Sequence, residues 1–194
     1  MARIVISDPA FGVVTDSLAR LQQAGHEVER TPFPVSEGEL CTFLPGAAAI
    51  VAGPDPIRAR AMQAAPGLKL IARFGVGLDN VDLTEATRRK VIVTNAAGAN
   101  ADAVADFTFL LMLALSRDLC QAAAVVREGR WQLCRGVEVF GKTLGVVGTG
   151  QIGRRVVARA QGFSMKVLAH DAVQDPGLVE RYGLRYVTLE ELLR

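Results

Sequence analysis

GVVGTGQIGRR, residues 145–155, decides how this chain folds. It follows a strand-like run, KTLGVVG (142–148), and opens a helical pattern over 151–161; only in that setting does a Gly-x-Gly-x-x-Gly spacing carry meaning. Gly148 suits the tight turn, Gly150 lets a pyrophosphate approach the backbone, and Gly153 lets helix and strand pack closely. Gln151 and Ile152 complete the turn. A phosphate there meets the unpaired N–H groups and positive dipole end of the helix. Arg154 and Arg155 either add to that field or lie on a solvated face. MKVLAHD (165–171) reads as the next strand, and Asp171 closes it about 20 residues on, where an acid accepts hydrogen bonds from both adenosine ribose hydroxyls. A 2′-phosphate would meet like charge there, and Ala172 and Val173 offer no cation, so the motif reads as binding NAD rather than NADP.

Working outward, strand-like runs at 3–7, 26–30, 48–53, 69–75 and 91–95 alternate with helical patterns at 15–24, 36–44, 57–65 and 83–89. Such alternation demands parallel strands with helices on the faces, because a crossover helix returns the chain to the same sheet edge. Residues 1–96 are therefore expected to form a flavodoxin-like parallel-sheet domain. A long apolar helix is expected from Asn100 to about Leu119, with Asn100 as N-cap and Asp102 at its positive end, connecting two sheets. A mixed segment, 121–140, contains Trp131; alternation then resumes with a helix at 178–182, a strand at 184–187 and a helix from Thr188. Residues 97–194 thus read as an incomplete Rossmann domain, stopping partway through its sheet.

Composition narrows the function. With 50% hydrophobic residues, 22% charged and a net charge of +2, the chain carries no basic patch for nucleic acid and no disordered acidic tail. FTFLLMLAL (107–115) falls far short of the ~20 residues that span a bilayer and reads as a buried helix face, and the opening MARIVISDPAFG holds too short an apolar run for an export signal. Cys41, Cys120 and Cys134 show neither disulfide nor metal spacing, so a reducing cytoplasm and no metal are expected. Of the two histidines, His26 stands at a helix-to-strand turn and His170 beside Asp171 at the adenosine end, so neither reads as a catalytic base.

Two stretches, ARFGVGLDNVDLTEATRRKVIVTNAAGANADAVADFTFLLMLALSR (72–117) and GKTLGVVGTGQIGRRVVARAQGFSMKVLAHD (141–171), resemble the D-isomer-specific 2-hydroxyacid dehydrogenases, most closely the phosphoglycerate dehydrogenase-like branch. The resemblance implies a substrate domain built from the chain's two ends, with the NAD domain inserted after about residue 96. It also implies that the backbone N–H groups of Phe74, Gly75, Val76 and Gly77 hold the substrate carboxylate; small residues that expose their amides suit such an anion nest. By the same resemblance Val104 faces the nicotinamide, Gln151 and Ile152 join the pyrophosphate loop, and two copies pair through the 100–119 helix as a homodimer.

The family's catalytic arginine, glutamate and histidine lie in later segments that no residue here matches. The expectation is an N-terminal portion of an NAD-dependent enzyme acting on a small 2-hydroxy or 2-keto acid, inactive by itself. The loop Ala52-Gly53-Pro54 lacks the arginine that phosphoglycerate enzymes resemble one another in carrying, which weighs against the alternative substrate, 3-phosphoglycerate. A non-catalytic NAD-binding module, similar to the corepressors of this fold family, is the competing reading.

Overall fold

The computed structural model describes residues 1–13 and 16–194, so Thr15, where the first helix was expected to begin, lies outside the described residues. The chain divides into two compact units, Met1–Ala99 and Asn100–Arg194.

The first unit is a parallel sheet of β1 (Arg3–Ile6), β2 (Glu27–Arg30), β3 (Ala49–Ala52), β4 (Leu70–Arg73) and β5 (Ile92–Asn95), in the order β2-β1-β3-β4-β5. That is the flavodoxin-like order, in a parallel sheet as the sequence pattern indicated. Its helices are α1 (Ser17–Gln23), α2 (Glu37–Phe43), α3 (Ala59–Ala64) and α4 (Leu83–Arg88). Successive strand side chains go to opposite faces. Val5, Ile50, Ala52 and Ile71 join Leu40, Ala61 and Met62 in one core, while Ile4, Ile6 and Val51 pack with Leu18 and Leu21 in the other. Each fully buried Ile, Leu or Met contributes about 1.5–3 kcal/mol, which is what holds both faces of a sheet with so few residues per strand. Ser36 starts α2 with a capping box: its hydroxyl accepts from Glu39 N–H, and the Glu39 carboxylate accepts from Ser36 N–H at 2.9 Å.

The second unit holds α5 (Ala101–Ser116), α6 (Leu119–Arg127), β6 (Thr143–Val147), α7 (Gly153–Ala160), β7 (Lys166–His170), α8 (Pro176–Tyr182), β8 (Arg185–Tyr186) and α9 (Leu189–Leu192). Its sheet is parallel, in the order β6-β7-β8, which is the 3-2-1 half of a doubly wound sheet. Val146, Val167 and Ala169 pack with Val156, Val157 and Ala160 of α7 and with Ala105 and Phe109 of α5.

Three expectations change here. The helix expected over 100–119 ends at Ser116, because Asp118 adopts φ 48°; α6 then leaves at 66° to α5, taking the start of what read as a mixed segment. Aspartate is among the few residues that visit this left-handed region at low cost. Second, α5 packs on α7 inside the second unit, and of its residues only Ala101, Ala105 and Phe109 are buried; Phe107, Leu110, Leu111 and Leu115 are exposed. Third, Asn100 is the N-cap as expected but makes no side-chain cap, and Asp102, in the first turn as expected, also pairs with Arg155 and Arg159 at 2.8 and 3.2 Å. Among the described residues, no single helix is long and apolar enough to cross a membrane.

Candidate functional site

In a parallel sheet with crossover helices, chain segments converge beyond the carboxyl ends of the strands, and ligands collect there. At the end of β6 the three glycines of the turn do three different things. Gly148 adopts φ 88°, a conformation open mainly to glycine, and its N–H donates to His170 O at 2.8 Å, tying the turn to β7. Gly153 lies so close beneath that a Cβ there would stand 1.9 Å from Gly148 O. Gly150 is different: a Cβ on it would meet nothing within 4 Å. Its bareness serves no packing within the chain.

Gly150 lies between two hollows and, among the described residues, is the one that lines both. One, of about 470 Å³, is bounded by Thr108, Val147, Gly148, Gln151, Ile152 and Gly153. The other, of about 450 Å³, is bounded by Thr149, Arg154, Asp171, Val173, Gln174, Asp175 and Pro176. The first turn of α7 opens at the saddle; of its N–H groups, Arg154 donates to Gly150 O at 3.1 Å and Arg155 to Ile152 O at 2.9 Å.

Asp171 follows β7 directly, half-buried at the second hollow. Its Oδ2 accepts from Thr149 N–H at 2.6 Å and from the Thr149 hydroxyl at 3.0 Å, and its Oδ1 accepts from Val173 N–H at 3.1 Å. The Thr149 amide above all, then the Val173 amide and the Thr149 hydroxyl, hold its carboxyl below the usual aspartate range. These three bonds fill three of roughly four acceptor positions on a carboxylate, leaving capacity on Oδ1. The sequence reading did not single out Thr149 or Tyr186, whose hydroxyl lies 2.9 Å from that of Thr149.

The arginines after the turn are already engaged. Arg155 donates to Asp102 and to Gln151 O, the latter at 2.6 Å, so it belongs to the α5–α7 contact. Arg154 does line the second hollow, 3.6 Å from Asp175, and its Nε donates to Gly150 O at 3.3 Å. A cation therefore stands near Asp171 that the residues immediately after it did not reveal. Val104 lies half-buried on α5, one turn before Thr108, whose hydroxyl donates to Val104 O at 2.8 Å.

In the first unit, the loop 74–77 leaves the end of β4. Phe74 N–H donates to Ala52 O and Gly75 N–H to Arg73 O, both at 2.9 Å, so two of the four amides expected to bind an anion are spent inside the protein. Val76 and Gly77 are left as the loop amides that meet no acceptor among the described residues. The loop is braced: the Asn95 side-chain amide donates to Val76 O at 2.8 Å, and Arg73 donates to Phe74 O at 2.6 Å. Arg73 also reaches Asn80, whose amide donates to Gly53 O and Asp55 O. Asp55 is buried on the loop after β3, its Oδ1 accepting from Val35 N–H at 3.4 Å. Among the described residues no group of three metal-ligating side chains occurs.

A parallel α/β sheet whose glycine turn opens onto two hollows, one ending in a carboxylate, defines a nucleotide-binding class of fold. Residues 4–192 match the model of the D-isomer specific 2-hydroxyacid dehydrogenase catalytic domain, and the chain belongs to that family. It is 42% identical to a glyoxylate reductase of Korarchaeum cryptofilum over 145 residues, covering 72% of this chain and 44% of the relative. It is 35% identical to a D-3-phosphoglycerate dehydrogenase of Archaeoglobus fulgidus over 194 residues, covering 98% of this chain and 36% of the relative. Among solved structures, a D-lactate dehydrogenase from Aquifex aeolicus, in complex with NAD and lactic acid, superposes with a TM-score of 0.80 at 30% identity, covering 98% of this chain and 57% of that one. The chain thus spans less than half the length of these two curated relatives.

Proposed function

We propose that this chain binds NAD across the turn 148–153 and serves a dehydrogenase that interconverts small 2-hydroxy and 2-keto acids. The observation that carries this reading is Gly150, a residue with no neighbour above it, shared by two hollows of which one ends in an ionised carboxylate. The residues fit the cofactor: Gly150, Gln151 and Ile152 would face the pyrophosphate, and Asp171 Oδ1 would accept from the adenosine ribose. The hollow lined by Thr108, one turn along α5 from Val104, would take the nicotinamide. When bound, NAD accepts a hydride and its reduced form donates one. The amides of Val76 and Gly77 orient the substrate carboxylate.

An unphosphorylated acid such as glyoxylate is the substrate proposed here, because the loop Ala52-Gly53-Pro54 carries no arginine of its own for a phosphate. By itself the chain is proposed to bind without turnover. His170 Nδ1 is hydrogen-bonded to Val187 O at 3.1 Å and His26 stands before β2, so neither residue is placed as the acid–base group. A homodimer through the exposed apolar side of α5 goes with the same reading.

Fluorescence titration with NADH and NADPH tests the cofactor assignment. The parent chain should bind NADH more tightly, and Asp171→Ala should reduce the preference, helped by Arg154 nearby. Tighter NADPH binding by the parent refutes the assignment, and consumption of NADH with glyoxylate by the chain alone refutes the lack of turnover.

A further inference from the structure

Asp171 is held by a hydrogen-bond chain whose direction can be worked out link by link. An ionised carboxylate only accepts, so the Thr149 hydroxyl spends its single proton on Asp171 Oδ2. Thr149 Oγ1 then accepts from its other neighbour, the Tyr186 hydroxyl at 2.9 Å. Tyr186 has its own acceptor side filled by Asp175 N–H at 3.1 Å, which leaves its proton free to point at Thr149. Asp175 is itself fixed as the N-cap of α8, its carboxylate accepting from Gly177 N–H at 2.9 Å. Every donor from Asp175 N–H through Tyr186 and Thr149 points toward Asp171. Bonds aligned head to tail in this way polarise one another. Thr149 is buried, so water does not compete for its hydroxyl.

We infer that Tyr186 and Thr149 are specificity-determining positioning residues, which keep Asp171 charged and aimed so that the site takes a dinucleotide with a free ribose 2′-hydroxyl and refuses one with a 2′-phosphate. The inference rests on the assignment of the turn 148–153 to a dinucleotide. Neither side chain need touch the ligand; each acts through Asp171. A merely structural role would weaken both dinucleotides alike, so the telling quantity is the ratio of their dissociation constants.

The test measures Kd for NADH and NADPH by fluorescence in the parent chain and in Tyr186→Phe, Thr149→Val and Thr149→Ser, each checked for folding by circular dichroism. Tyr186→Phe should lower the NADPH-to-NADH Kd ratio about threefold to tenfold, the range of one net hydrogen bond. Thr149→Val should lower it at least as far, and Thr149→Ser, which keeps the hydroxyl, should stay within about twofold of the parent. If Tyr186→Phe fails to fold, the contrast between Val and Ser at position 149 decides. A parent that prefers NADH while the ratio is unmoved in Tyr186→Phe and Thr149→Val overturns this inference and leaves the site intact. A parent that binds neither dinucleotide overturns the site assignment and this inference together.

Discussion

Replacing Gly153 by alanine separates packing from ligand binding within a single motif. The added Cβ would stand 1.9 Å from Gly148 O and 2.9 Å from Gly148 C, whereas ordinary contacts need about 3.2 Å or more, so strand end and helix must part by over an ångström. Gly148 cannot yield by rotating, because its φ of 88° and its bond to His170 O set its orientation. Overpacking costs about 1–3 kcal/mol where side chains can adjust, and a backbone neighbour places this substitution at about 3 kcal/mol or more. With a urea m-value of roughly 2 kcal/mol per M, the midpoint of the second unit should fall by about 1.5 M. Urea unfolding followed by far-UV circular dichroism measures the change, with hydrogen exchange assigning it to residues 100–194. Gly150→Ala is the control: with open space around it, its stability should stay within about 0.5 kcal/mol of the parent. A Gly153→Ala variant that unfolds at the parental urea concentration would refute the packing argument.

Leu111→Glu should convert a dimer to a monomer in size exclusion with light scattering, since it puts a charge amid the exposed apolar side of α5; a parent that is already monomeric defeats that proposal. Acid should destabilise the first unit through Glu85, whose carboxyl Arg88 and then Arg89 hold down at about 2. A depressed folded-state pKa contributes stability that is present above the ordinary glutamate value of about 4.5 and lost as pH falls toward 2. Thermal melts of Glu85→Gln and parent should therefore differ at pH 6 and converge near pH 2, and a constant gap would exclude Glu85 as the cause.

The glycine turn was legible in the sequence because each glycine answers a local demand: a positive φ at Gly148, a close approach at Gly153, open backbone at Gly150. The parallel, flavodoxin-like character of the first sheet followed from alternation, whereas its strand order is seen only in the structure. What the sequence hid was created by the sheet. Thr149 and Tyr186 are 37 residues apart and meet only because β6, β7 and β8 lie in parallel register. Likewise the Phe74 amide looks free in the sequence, yet pairing of β3 with β4 brings Ala52 O to it. The break at Asp118 depends on the left-handed conformation of one residue, which periodicity does not register.

Strand β6 carries the glycine turn and lies at the margin of its sheet, with β7 on one side and no strand on the other among the described residues. In mechanical terms the turn is a cantilever, anchored through Gly148 and Thr149 to the end of β7 and propped from below by α7. An anion seated on the first turn of α7 would act as a second prop, so occupancy and stiffness of the turn are linked, each reinforcing the other.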